Sequence, residues 1–186
     1  IESVVVDGIV EAATETRDVA AKVPPTVRSA LFPETPRPLP DAFVIRGATV
    51  WTSGPAGILR DADVHVRGGK IAAVGTALKV PSGTREIDGR GKHVTPGMID
   101  CHSHTAIAGG LNEGGSNITA ECRIEDVLNP DDPNIYRQLA GGTTAANILH
   151  GSANAIGGQN AVVKWRWGSD AAGLRIDGAP AGIKFA

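Results

Sequence analysis

With 186 residues, 41% hydrophobic and 20% charged, the chain has the composition of one ordinary globular domain or two small ones. Its net charge of −2 gives no electrostatic reason to invoke nucleic acid or an anionic membrane surface, and no apolar run is long enough to span a bilayer. Aromatic residues are scarce, so the core must be built mainly from Val, Ile, Leu and Ala.

The chain opens on an apolar strand over 1–11 with an Asp7-Gly8 turn inside it, and 12–21 reads as a short helix. Six prolines between 23 and 40 exclude regular structure there and read as a linker, which places a boundary near Asp41. From 42 to 87, short strands alternate with turn signals in the manner of an antiparallel β-sandwich. The segment 43–51 ends at Ser53-Gly54-Pro55. Strands over 62–67 and 70–74 flank the two-residue turn Gly68-Gly69, and Pro81-Ser82-Gly83 precedes 84–87. Gly89-Arg90-Gly91-Lys92 lacks the Ser or Thr and the spacing of a phosphate-binding loop.

The most informative stretch follows: V-T-P-G-M-I-D-C-H-S-H, from Val94 to His104. In a strand, residues two apart share a face, so Asp100, His102 and His104 point the same way. Two imidazoles at a strand end make half of a transition-metal site, and Asp100 is placed to support them from outside. A chance His-x-His in a polar loop is the alternative. Cys101 alternates with the histidines and reads as a small buried residue facing away, and a Cys101–Cys122 disulfide is compatible with the sequence. Asn117-Ile118-Thr119 is a formal glycosylation sequon.

The loop over 108–116 is Gly-rich and polar, suited to a pocket rather than a core. Asn134 is positioned to cap a helix over 135–140 that Gly141-Gly142 ends. A β-branched strand over 143–149 then delivers His150, which either contacts substrate or metal or is a loop histidine without a role. Residues 151–160 read as loop, 161–167 as a third strand, and 183–185 as the start of another. Lys164 and Arg166 alternate with Trp165 and Trp167, as in a half-buried strand with a cationic face; an anionic-substrate clamp is the sharper alternative.

P-G-M-I-D-C-H-S-H resembles the P-G-[LMF]-I-D-x-H-x-H signature of the amidohydrolase superfamily of metal-dependent hydrolases, whose imidazolonepropionase- and prolidase-like members are the nearest in style. The strands over 43–75 are similar to the small sandwich that precedes the barrel in that family, and L-A-G-G-T-T-A over 139–145 resembles the entry into its second barrel strand. The resemblance implies an α/β fold: a partial composite β-sandwich over 41–92, then the first strands of a (β/α)8 barrel over 93–186. Residues 1–40 are then an N-terminal extension, or the tail of a preceding unit plus the linker. A complete barrel needs about 250 residues and about 80 follow His104, so the chain reads as an N-terminal fragment of a catalytic unit, inactive alone.

The resemblance further implies that His102 and His104 bind a divalent metal, with zinc as the simplest choice and one or two ions. Lys184, in A-G-I-K-F-A, resembles the lysine that some members carbamylate to bridge two metals; a structural or surface lysine is the alternative. The general acid/base aspartate of the family is expected beyond Ala186. The function implied is hydrolysis of a carbon–nitrogen bond in a small-molecule substrate by metal-activated water. A non-catalytic scaffold that keeps the fold for assembly is the competing class, and oligomerisation stays open.

Overall fold

The computed structural model describes residues 40–186, together with two strands near the start, β1 (Ser3–Val6) and β2 (Ile9–Ala12). The chain divides into two units, 1–36 and 37–186. In the first, β1 and β2 pair antiparallel with Val6 opposite Ile9, the register of a hairpin around the Asp-Gly signal. The helix expected over 12–21 and the linker over 23–40 fall almost wholly outside the described residues; Ala12 ends β2.

The second unit begins with β3 (Ala42–Trp51), β4 (Ile58–Arg67), β5 (Lys70–Gly75), β6 (Arg85–Asp88) and β7 (His93–Val94). They form one mixed sheet in the order β5-β4-β3-β6, with β7 also on β3. The meander β3-β4-β5 is antiparallel, whereas β6 and β7 pair with β3 in parallel. The sheet is therefore mixed, not the antiparallel one expected from the sequence. The segment 76–84 returns the chain to the far edge of β3, so β6 runs with β3 rather than against its neighbour. Gly68 and Gly69, at φ +56° and +70°, supply the left-handed pair that a two-residue hairpin between β4 and β5 requires. Ala48, Val50, Ala62 and Val64 form the buried centre of this sheet.

A buried carboxylate ties it together. Asp63 accepts from Arg46 Nη1 at 2.7 Å, from the Gly47 N–H at 3.0 Å and from the Leu78 N–H at 2.9 Å. The pairing of β3 with β4 shifts register between Ile45 and Ala48, which frees the Gly47 amide for this bond. Burial pushes the Asp63 carboxyl up, but Arg46 and the two amides outweigh it and hold it below its ordinary value.

The remainder is a βαβ unit with additions. β8 (Met98–Ser103) and β9 (Thr143–Ile148) pair in parallel, joined through a 3-10 turn (Ile124–Val127) and helix α1 (Pro133–Ala140). Ile135 on α1 is fully buried with Ile124, Ala146, Ile148, Val163 and Leu174. Removing such a side chain from water stabilises the fold by about 1.5–3 kcal/mol. Asp132, not Asn134, caps α1: its side chain accepts from the Asn134 N–H, and Pro133 takes the first helical position, where no N–H is missed.

β11 (Ala161–Lys164) joins the other side of β9 but antiparallel, giving the order β11-β9-β8. The expected third barrel strand over 161–167 is therefore shorter than read and is not parallel. No helical crossover separates it from β9, and a short connection favours reversal. Residues 151–160, read as loop, contain β10 (Ile156–Gln159), which pairs antiparallel with β12 (Ile183–Phe185). Trp165 is buried while Lys164 and Arg166 are exposed, the pattern of a half-buried segment with a cationic face. Among the described residues, no helix is long and apolar enough to cross a membrane.

Candidate functional site

The two parallel strands end side by side, and this is where the histidines lie. His102 is in β8 and His104 directly follows it; both are exposed. Their rings are 5.0 Å apart between centroids and nearly perpendicular, at 83°. The alternation expected from a strand thus brings the two imidazoles to one place.

His104 Nδ1 lies 2.8 Å from the backbone carbonyl of Leu149, at the end of β9. A carbonyl only accepts, so Nδ1 carries the proton and donates. Neutral His104 is thereby fixed in the tautomer whose Nε2 lone pair is free. That is the arrangement of a metal-ligating histidine oriented from behind by a carbonyl. Asp100, expected to give this support, instead accepts from the N–H of His102 at 3.1 Å. Its carboxylate reaches its own strand's backbone two residues on, a local bond that short acidic side chains form readily.

Cys101 is exposed rather than buried, because the outer side of β8 is a sheet edge with Met98 and Ile99 exposed beside it. Cys101 and Cys122 are both free thiols, so the disulfide is not formed. Burial first, then the charges of Glu121, Glu113 and Asp126, push the Cys122 thiol up and keep it protonated.

His150, immediately after Leu149, is buried, and its Nε2 has no hydrogen-bond partner among the described residues. It lines a cavity of about 350 Å3 with Leu111, Glu113, Ile124 and Val127. Lys184 lies in β12 opposite Gly158. A Cβ on Gly157 would meet His150 Cβ at 2.8 Å and Lys184 Cγ at 3.4 Å, so the two side chains flank the same glycine. The fold therefore brings Lys184 beside His150. Among the described residues, no hydrogen bond or ion pair joins Lys184 to His102 or His104, and no group of three His, Cys, Asp or Glu side chains is close enough to hold a metal.

The chain resembles known proteins over most of this region, though no family model matches it. Amidohydrolase tasK of Hapsidospora irregularis is 35% identical over 161 residues, which cover 74% of this chain and 16% of the relative. Imidazolonepropionase of Chloroflexus aggregans is 32% identical over 127 residues, 53% of this chain and 30% of that protein. The crystal structure of an amidohydrolase from Thermotoga maritima MSB8 matches with a TM-score of 0.67 and 34% identity, over 77% of this chain and 38% of that one.

The chain belongs to the amidohydrolase superfamily. It spans well under half the length of each of these relatives.

Three parts of this candidate site were not legible as such. The Leu149 carbonyl has no side-chain signal at all. Asp132 accepts from the N–H of Ala106 at 2.8 Å while capping α1, and so anchors the turn two residues after His104. Ala106 is buried with φ +62°, a left-handed conformation uncommon for alanine, held by that bond and by the Asn129 N–H donating to its carbonyl at 2.8 Å. Asn154 is the third, a buried amide in a segment that reads as plain loop.

Proposed function

We propose that the whole protein carrying this chain is a metal-dependent hydrolase of carbon–nitrogen bonds, in which His102 and His104 hold a divalent cation, zinc in the simplest case. The observation that carries this reading is the bond from His104 Nδ1 to Leu149, which leaves the Nε2 lone pair free beside the ring of His102. The donor set fits: two neutral imidazoles at a strand end suit zinc and its borderline neighbours. The relatives named amidohydrolase and imidazolonepropionase support the same reading.

A divalent cation at this position supplies Lewis acidity, acidifying water and polarising the bond to be cleaved. The chain's own residues hold and position the groups around it. Leu149 holds the His104 ring and its tautomer. His150, next to Leu149 in the chain, lines the cavity and contacts substrate. Lys184, carried to His150 by β12, is the candidate carbamylated ligand that would make the centre binuclear. The parallel β8-α1-β9 unit is read as the opening of a (β/α)8 barrel. The general acid/base aspartate and the further ligands come from the remainder of the whole protein.

The test is chelation and reconstitution of the whole protein against a hydantoin, an N-acyl amide and a dipeptide. This reading expects hydrolysis of at least one, abolished by a chelator and restored by zinc. Activity that survives complete metal removal contradicts it.

A further inference from the structure

Two loops leave the ends of β8 and β9, and they are stitched together along their length. The Gly151 N–H donates to the Leu111 carbonyl at 3.0 Å, and the Ala153 N–H to Asn112 Oδ1 at 3.3 Å. Further on, the Ile156 N–H donates to the Asn117 carbonyl at 3.2 Å and the Thr119 N–H to the Ile156 carbonyl at 2.9 Å. Between these lies a side chain that the packed core does not use. Asn154 Nδ2 donates to the carbonyls of Glu113 and Ser116, each at 2.7 Å, and lies 3.3 Å from Thr119 Oγ1.

Asn154 is only 3% exposed, so its amide is held away from water, and its bonds to the two carbonyls are partly buried. The segment it grips, 113–117, is otherwise exposed and contains Gly114 and Gly115. Apart from the Gly115 N–H donating to Glu113 Oε1 at 2.8 Å, such a segment has little of its own to define a shape. Both hydrogens of the one amide are spent on it, three residues apart, which fixes the arch rather than one point of it. The cavity lined by Leu111, Glu113 and His150 begins where that arch begins.

We propose that Asn154 is a positioning residue for substrate: it latches the 113–117 arch to the loop that carries His150 and so sets the shape of the cavity at His150, the residue next to the carbonyl that holds His104. This rests on the reading of His102 and His104 as a metal centre. The cavity has apolar walls in Leu111, Ile124 and Val127, and Glu113, Arg123 and Asp126 line it as well. It therefore takes a substituent of the substrate with an apolar part, while the reacting group stays at the histidines.

The experiment uses the whole zinc-loaded protein and two hydroxamates, which bind zinc whatever the natural substrate is. Acetohydroxamate reaches the metal only; phenylacetohydroxamate also carries a ring for the cavity. Calorimetry should show the larger probe binding more tightly to wild type. In Asn154→Ala it should weaken about tenfold, the scale of one lost buried polar contact, with acetohydroxamate changed less than about twofold. Asn154→Ser, which keeps one donor, should fall between.

Equal weakening of both probes, or of neither, overturns the proposal, as does a wild type that shows no preference for the larger probe. If neither variant folds, Asn154 serves the fold rather than the cavity, and the proposal is overturned too. A wild type that loads zinc yet fails to bind acetohydroxamate, or loads no zinc, instead removes the metal reading, and the proposal goes with it.

Discussion

His104 and Leu149 are joined by a 2.8 Å bond between parts of the chain 45 residues apart, from ring Nδ1 to backbone carbonyl. The bond couples the ends of two parallel strands and decides which nitrogen of the histidine is free. Parallel pairing of β8 with β9, through Ser103 opposite Ile148, is what brings the carbonyl there. The chemistry assigned to the histidine thus depends on the register of a strand that carries none of the motif.

Asp132 supports the same region from below, capping α1 with one oxygen and holding the Ala106 N–H with the other. Asp132→Ala removes both. Loss of the cap alone costs about 0.5–2 kcal/mol, and the released Ala106 turn adds to it. Thermal melts should show the destabilisation. Asp132→Asn, which keeps one acceptor oxygen, should recover part of it. A melt unchanged in Asp132→Ala would contradict the assigned role.

Gly158 is held at φ +125°, and a Cβ there would lie 2.4 Å from the Cys122 carbonyl oxygen and 2.7 Å from His150 Nε2. Gly158→Ala therefore meets crowding of about 1–3 kcal/mol in addition to backbone strain. Gly178, at φ +72° with nothing within 4 Å of its Cβ position, is the control that carries strain alone. The alanine variant at 158 should unfold in clearly less denaturant than the one at 178. Equal midpoints would show that the packing around His150 is loose.

The Asp63 carboxyl is held below its ordinary value of 3.8 despite burial, by Arg46 and the amides of Gly47 and Leu78. A depressed folded-state value contributes stability above pH 3.8 that is lost as pH falls through the lower folded value. Asp88, held low by Arg90, acts in the same direction. Asp63→Asn should be less stable at neutral pH, because Arg46 loses one of its carboxylate partners and keeps Glu86, and should show a shallower loss as pH falls from neutral through 3.8 and below. Melting temperatures of both proteins across that range provide the check; parallel curves would remove Asp63 from the acid transition.

How far the sequence could be read follows from where the information sits. The meander of β3, β4 and β5 was legible because alternation and the Gly68-Gly69 turn are local signals. The parallel return of β6 and β7 onto β3 was not, since direction depends on how a loop crosses the sheet. The same limit explains β11: the apolar run showed a strand, while its antiparallel pairing with β9 is a long-range fact. At the site, spacing brought His102 and His104 together, and the crowding of Lys184 against Gly157 needed β10, which glycine-rich composition concealed. Asn154 looked like any turn-forming asparagine, because burial of a polar side chain leaves no periodic trace.

Lys184 separates a binuclear from a mononuclear centre. Lys184→Met keeps the apolar stem that lies beside Gly157 and His150 while removing the nitrogen. If the lysine is the carbamylated bridge, the variant should lose metal and recover it poorly, since a bridge supplies the negative charge that lets two cations sit close together. Metal content equal to wild type would exclude the bridge and leave Lys184 as a structural residue of β12.

The proposed hydrolase stands or falls with metal binding by the two histidines at the end of β8. Metal stoichiometry of the whole protein, measured for wild type, His102→Ala and His104→Ala, tests it most directly, with circular dichroism to confirm that each variant is folded. Wild type should carry a stoichiometric divalent cation, and each variant should lose it while keeping its fold. Unchanged metal content in both folded variants would contradict the claim.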